Sequence, residues 1–106
     1  MATLTVSSLS RVYVRCRIAL DRDGAAVDPT SPALPVEMAF PLAGVTPATW
    51  YAAAWEADGR GGWRSRVLVG PSGAVALGAG TYDAWVRVTS TPEVPVVQSP
   101  DTLRIT

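Results

Sequence analysis

The stretch RVYVRCRIAL, residues 11–20, decides the fold class of this chain. Its even positions are apolar, whereas its odd positions up to residue 17 carry arginine or tyrosine. A period of two places successive side chains on opposite faces of a strand, and a helix would instead repeat every three or four residues. We therefore expect a half-buried antiparallel strand. Its inner face is predicted to be Val12, Val14, Cys16, Ile18 and Leu20.

Two further stretches repeat this pattern. Residues 63–69 alternate between a mostly apolar face and a face with two arginines, and residues 81–89 also alternate. In the second stretch, Asp83, Trp85 and Arg87 are expected to point away from the core. Glycine-rich turn signals separate the stretches, DGRGG at 58–62 and GPSG at 70–73. Strands joined by such short turns indicate antiparallel pairing.

The remaining elements are shorter. Pro35 precedes a predicted strand over residues 36–40, and a last strand is expected over residues 102–106. Residues 49–57 contain three consecutive alanines, so a helix is an alternative there to the favoured strand. The sequence thus predicts an all-β fold: one antiparallel immunoglobulin-like β-sandwich of seven or eight short strands, covering residues 1–106.

Tyr82 has a specific expected role in such a sandwich. A tyrosine near the start of strand F of immunoglobulin domains donates its hydroxyl to the backbone, forming a tyrosine corner. Tyr82 occupies that place, and the stretch 11–20 would be the B-like partner strand. The alternative is an ordinary aromatic residue within a strand.

Composition limits the chemistry of the chain. It has 106 residues, nine arginines and no lysine, nine acidic residues, one cysteine and no histidine. Without histidine, neither a Ser-His-Asp nor a Cys-His nucleophile is possible, so the sequence predicts a protein that is not an enzyme. Cys16 lies on the apolar face, where we expect it to pack as a small hydrophobic residue. The lone cysteine also excludes a disulfide framework.

Ligands and membranes are not indicated either. Asp21, Asp23 and Asp28 lack the spacing of a calcium loop, so we predict neither metal nor cofactor. Zero net charge argues against nucleic acid as a partner. The charge-free stretch between Glu37 and Glu56 is interrupted by prolines and glycine, and the chain starts without a signal-peptide pattern. We therefore expect a protein made in the cytoplasm that is not inserted in a membrane.

The aromatic residues are the strongest indication of an interaction surface. Four tryptophans are many for a sandwich of this size. Alternation directs Tyr13 and Trp85 outward, and Trp50 and Trp55 have opposite parity, so one of them should also face outward. Outward tryptophans with few charges nearby are typical of protein interfaces, and exposed apolar patches usually mark a partner site. The predicted interface residues are Tyr13, Trp50, Trp55, Trp85 and Arg87. The alternative is that arginine stems cover these rings on a monomer.

Several motifs together carry a resemblance. They are VYVR at 12–15, DPT at 28–30, PVEMAF at 35–40, AWE at 54–56, VLVGP at 67–71, GTYDAWVRV at 80–88 and PEVPV at 92–96. The chain resembles small immunoglobulin-like proteins of tailed bacteriophages that infect G+C-rich actinobacteria. Those proteins belong to the virion, around the capsid and the head–tail junction.

The resemblance implies a virion structural protein, present in many copies at the capsid, at the head–tail connector (neck) or in the tail. Its partners would be other virion proteins and copies of itself. Residues 1–10 and 91–106 would be extended arms that add strands to a neighbouring subunit. The alternative function is a β-sandwich module that binds a carbohydrate or a host surface, with Trp50, Trp63 or Trp85 stacked on sugar rings.

Overall fold

The computed structural model describes residues 3–22, 25–30 and 33–106, and this part of the chain contains ten strands and no helix. The predicted turn at 21–24 and the irregular stretch at 28–32 lie partly outside the described residues. The strands are β1 (Thr3–Val6), β2 (Val12–Ile18), β3 (Asp21–Arg22), β4 (Ala25–Ala26), β5 (Val36–Ala39), β6 (Tyr51–Ala52), β7 (Ala54–Ala57), β8 (Trp63–Val69), β9 (Gly80–Val88) and β10 (Val96–Ile105).

Two sheets pack face to face. One has the strand order β1-β10-β9-β5-β6, and the other has the order β2-β8-β7. Every pairing within them is antiparallel except that of β1 with β10, which is parallel. The short strands β3 and β4 pair only with each other. The predicted all-β antiparallel sandwich is confirmed.

The core consists of the apolar faces that alternation predicted. In β2, Val14, Cys16 and Ile18 are buried, while the odd positions between them are exposed. They form one buried cluster with Val67 of β8 and Val86 of β9. Period-two burial therefore holds in both sheets, as expected for strands with one face on the core. The cluster also contains Val36, Met38, Phe40, Val69, Val75, Tyr82, Ala84, Val88, Leu103 and Ile105.

Residues 49–57 form strands, not a helix, and they belong to both sheets. β6 pairs with β5 in the five-stranded sheet, whereas β7 pairs with β8 in the three-stranded sheet. Between them, the Ala53 N–H donates to the carbonyl of Val36 at 3.0 Å. The chain thus changes sheets at a single small residue, which explains why the alanine-rich segment shows no continuous alternation.

The two ends of the chain differ from the extended arms that the sequence predicted. β10 is ten residues long and places Leu103 and Ile105 in the core. Its pairing with β9 is irregular between Gln98 and Thr102, where Pro100 supplies no N–H for a ladder hydrogen bond. β1 pairs with residues 102–105 of the same chain. Residues 3–6 and 96–105 are therefore parts of this chain's own sheet.

Gly70 permits the close approach of two segments where the chain crosses between the sheets. Its φ is +135°, and a Cβ at this position would collide with the carbonyl oxygen of Ser10. Only glycine avoids this collision, because it has no Cβ atom. The GPSG turn therefore also fixes the path of the connection from β1 to β2.

Two leucine substitutions test this description of the core. Leu103→Ala removes a side chain that is 1 % exposed, so we expect it to lower the free energy of unfolding by about 2–5 kcal/mol. Leu9→Ala is the control, because Leu9 is 87 % exposed. Urea unfolding of both variants checks the prediction, and similar midpoints for the two would contradict the assigned core.

Candidate functional site

Two of the predicted interface residues are engaged with each other on the outer face of the five-stranded sheet. The Arg87 guanidinium lies 4.4 Å from the centroid of the Trp50 ring. It also donates to Glu37 Oε1, from Nε at 3.1 Å and from Nη2 at 2.7 Å. Glu37 and Arg87 are direct neighbours across β5 and β9. Arginine therefore covers the Trp50 ring, as the alternative interpretation of the aromatic residues proposed.

Trp55 and Trp85 are both half-buried. The Trp55 indole N–H donates to the carbonyl of Leu34 at 2.8 Å, and its ring packs against the core. Trp85 lies between Ala39 and Gln98 across the strands, and its indole N–H has no acceptor among the described residues. Within the described chain, no tryptophan belongs to the large apolar side chains that remain exposed. An interface role for Trp50, Trp55, Trp85 and Arg87 stays a prediction.

The aliphatic residues at the start of β10 are exposed instead. Val94, Val96 and Val97 keep 49 %, 47 % and 44 % of their surface accessible. β1 pairs only with residues 102–105 of β10, so no described strand continues the sheet beyond residues 96–98. We call Val94, Val96 and Val97 the valine edge. Sequence reasoning missed it because residues 91–106 were expected to be an arm.

Tyr13 is the one predicted interface residue that remains exposed, at 41 %. Arg66 and Arg15 lie 4.6 and 5.5 Å from its ring centroid. The tyrosine therefore belongs to a larger group on the outer face of the three-stranded sheet. We call this group the arginine face, and it consists of Arg15, Arg17, Arg60, Arg64 and Arg66 with Glu56, Asp58 and Tyr13.

The arginine face places like charges directly opposite each other. Arg15 pairs with Arg66, and Arg17 with Arg64, in the register of β2 and β8. Such pairs destabilise a sheet unless an opposite charge lies between them. Five arginines and two carboxylates leave this face with an excess of three positive charges. Because the whole chain is neutral, the rest of it carries the matching negative excess.

Glu56 holds the arginines together. Its Oε2 accepts hydrogen bonds from Arg15 Nε at 2.7 Å and from Arg64 Nε at 2.6 Å. Its Oε1 lies 3.5 Å from Arg66 Nη1. The hydrogen bonds from Arg15 and Arg64 lower the pKa of Glu56 below its ordinary value of 4.5. The carboxylate therefore stays ionised under all but acidic conditions.

Asp58 fixes the hairpin beside the arginines. Its Oδ1 accepts from the backbone N–H groups of Arg60 and Gly62, at 2.7 and 3.0 Å. These two hydrogen bonds lower the pKa of Asp58. Its Oδ2 lies 2.9 Å from Arg17 Nε. Arg15, Arg17, Asp58, Arg60 and Arg64 line a shallow depression of about 320 Å³.

Cys16 and Tyr82, the two predicted structural residues, both contact the interior. Burial raises the pKa of the Cys16 thiol, although a hydrogen bond with Ser99 acts in the other direction. The Tyr82 hydroxyl donates to the carbonyl of Gly78 at 2.9 Å. Such a local hydrogen bond is what a tyrosine corner provides. β9 and β2 lie in opposite sheets, as strands F and B do in immunoglobulin domains.

Asp83 is buried, although alternation directs it away from the core. Its Oδ2 accepts from the Gly44 N–H at 2.9 Å, and its own N–H donates to Pro41. A carboxylate with a backbone donor tolerates burial, because the donor replaces the lost water. Asp83 thus ties the loop after β5 to β9.

The described ranges also contain a cavity beside the C-terminal end of β2. This cavity of about 290 Å³ is lined by Ile18, Ala19, Leu20, Val27, Asp28, Pro29, Gly61, Gly62 and Trp63. No cluster of three or more potential metal ligands is found in the part of the chain that the structure describes. These same residues include no long apolar helix that would span a membrane.

Substitution of Glu56 tests the role of this carboxylate. Because the folded-state pKa is lowered, Glu56 stabilises the fold above the ordinary value of 4.5 and loses that effect as the pH falls through the lowered pKa. We expect Glu56→Gln to be less stable than the parent at pH 7, with the difference shrinking as the pH falls below 4.5. Urea unfolding against pH measures this. Glu93→Gln is the control, and an E56Q deficit independent of pH would refute the assignment.

Tyr82→Phe tests the tyrosine hydrogen bond. The change removes only the hydroxyl, so we expect the free energy of unfolding to fall by about 0.5–1.5 kcal/mol. Tyr13→Phe is a matched control, since no hydrogen bond from the Tyr13 hydroxyl is found within the described chain. Thermal unfolding of the two variants makes the comparison. Equal losses would show that the bond to Gly78 adds nothing.

Comparison with known proteins gives no family for this chain. It matches no protein-family model, no curated protein and no solved structure. Functional conclusions therefore depend on its own residues and geometry.

Proposed function

We propose that this protein is a non-enzymatic docking subunit of a bacteriophage virion, located at the capsid or at the head–tail connector. The valine edge is the observation that carries the proposal. Three exposed valines lie in residues 94–97, beside a stretch of β10 that has no second neighbouring strand among the described residues. An exposed apolar strand edge favours association with another chain, because it offers both side-chain surface and unpaired backbone groups.

The strand order supports the immunoglobulin-like part of the proposal. Strands B, E and D of an immunoglobulin domain share one sheet, and strands C, F and G share the other. Here the three-stranded sheet has the order β2-β8-β7, and β10, β9 and β5 are consecutive in the other sheet. Chain order allows β2, β5, β7, β8, β9 and β10 to take the places of B, C, D, E, F and G. The bacteriophage motifs of the sequence lie mainly on these strands.

The expected partners are capsid, neck or tail proteins and copies of this chain. A sandwich without histidine and with one buried thiol offers little catalytic chemistry, whereas its edges offer docking surface. The valine edge suits an apolar strand of such a partner.

The copy number of the protein in purified virions tests the virion role. Quantitative mass spectrometry against the major capsid protein is expected to give either the ratio of a single ring or a ratio near one. The first ratio supports a neck position, and the second supports a capsid or tail-tube position. Absence of the protein from particles would overturn the proposal.

Lysine substitutions test the valine edge itself. Val96→Lys combined with Val97→Lys places two charges on the edge, so we expect about tenfold less protein in assembled particles. Val45→Lys is the matched control, because Val45 is similarly exposed but lies in the loop after β5. Equal incorporation of both variants would exclude the valine edge as the docking surface.

One observation favours the alternative function, a carbohydrate-binding module. Trp63 lines the 290 Å³ cavity together with Asp28, an arrangement with an aromatic ring and a polar acceptor. Titration with glycans, followed by tryptophan fluorescence, tests it. A saturable shift that is lost in Trp63→Phe but kept in Trp50→Phe would support the alternative. No shift with any glycan would exclude it at the concentrations used.

A further inference from the structure

Within the described residues, β2 leaves one side of its backbone unpaired. It is the last strand of the three-stranded sheet, and β8 is its only partner among the described strands. The Cys16 carbonyl points toward β8, because Ser65 Oγ donates to it at 3.2 Å. On β8, the Leu68 carbonyl points away from β2 and accepts from the Val75 N–H. Antiparallel pairing alternates, so the N–H and C=O groups of Tyr13, Arg15 and Arg17 face the open side.

The same three residues present their side chains beside this open edge. Tyr13, Arg15 and Arg17 are all exposed on the outer face. A strand added at the edge would place its own side chains about 4.5–5.5 Å from theirs. Backbone and side chains of one short segment would therefore contact the same incoming strand. The excess of three positive charges on the arginine face favours acidic residues in that strand.

Pairing of β2 with β2 of a second copy is disfavoured by the same charges. An antiparallel arrangement centred on Arg15 would place two copies of Arg15 directly opposite each other. Glu56 already accepts hydrogen bonds from Arg15 and Arg64, so it has little capacity to neutralise further arginines. Like charges across a strand pair oppose association. The β2 edge thus disfavours pairing with a second copy of itself, whereas its charge is complementary to that of an acidic strand.

We propose that the open edge of β2 binds an extended acidic segment of a partner protein by β-strand addition. The segment carries glutamate or aspartate at alternate positions, opposite Arg15 and Arg17. Its intervening side chains point toward the core side of the sheet, beside Val14 and Cys16 and near Ser99, and the peptides that test the proposal carry valine there. This inference rests on the proposed role as a docking subunit but does not require that the partner belongs to a virion.

Synthetic peptides with a fluorescent label test the inference on the full chain. An eight-residue peptide of alternating glutamate and valine is expected to bind and to raise the fluorescence anisotropy. Peptides that replace glutamate with glutamine or with lysine are expected to bind at least about tenfold more weakly, since they lack the opposing charge. Equal binding of all three peptides would overturn the requirement for acidic residues.

Arginine variants identify the site. R15Q combined with R17Q is expected to weaken binding of the acidic peptide about fivefold, through loss of two exposed charge pairs. Arg104→Gln, on the exposed face of β10, is the control and should leave binding unchanged. A thermal unfolding scan of the double variant shows that it is folded. Unchanged binding by the folded double variant would exclude this edge.

Hydrogen exchange of the unaltered protein separates strand addition from loose charge attraction. Measured by NMR for single residues, the amides of Tyr13, Arg15 and Arg17 are expected to exchange faster than those of Val14 and Cys16. The glutamate–valine peptide is expected to slow the first group at least about tenfold, as formation of a new ladder would. Binding without this protection would refute strand addition.

The remaining outcomes are also informative. Binding of single-stranded oligodeoxythymidine in preference to the peptide would assign the arginine face to nucleic acid and overturn the inference. Concentration-dependent self-association of the unaltered protein that slows exchange of the Tyr13, Arg15 and Arg17 amides would assign the edge to a second copy. If the peptide fails to bind while virions contain the protein, the inference fails and the proposed function stands. If the peptide binds while the protein is absent from virions, the inference stands and the proposed function fails.

Discussion

Burial of one face of each long strand determines most of this molecule. β2, β8 and β9 each alternate between apolar and polar side chains, so each must cover a single face with another sheet. Two sheets packed on one core bury the apolar faces of all three strands. The outer faces then receive whatever the intervening positions carry. On β2 and β8 these are chiefly arginines, and on β9 they include Trp85 and Arg87. The positions of charges and aromatic rings on the outer faces thus follow from which face of each strand is buried in the core.

The parts of the fold that could be predicted from the sequence are the strands with a clear alternation of apolar and polar residues. β2, β8 and β9 could be predicted because alternation is local to a strand. The change of sheet at Ala53 and the full length of β10 could not, since both depend on pairing with distant segments. Burial of Asp83 depends on a loop 39 residues away in the chain. The candidate surfaces were hidden for a related reason: only the register of β2 with β8 brings four arginines together.

Zero net charge conceals an uneven arrangement. The arginine face holds three excess positive charges, and Glu56 links three of its five arginines. Elsewhere, Arg87 is paired with Glu37 and covers Trp50. Overall charge therefore says little about which surfaces attract which partners, because attraction over a few ångströms depends on the local balance. The molecule offers two strand edges of different character, one aliphatic at β10 and one basic at β2.

The parallel pairing of β1 with β10 gives the domain a mechanical property. Thr3 lies beside Thr102 and Val6 beside Ile105, so the two strands run in the same direction at neighbouring positions. Tension applied to the two ends of the chain would pull these strands past each other along their length. All the hydrogen bonds between them would then bear the load together, instead of opening one after another. A domain built in this way resists stretching between its two ends.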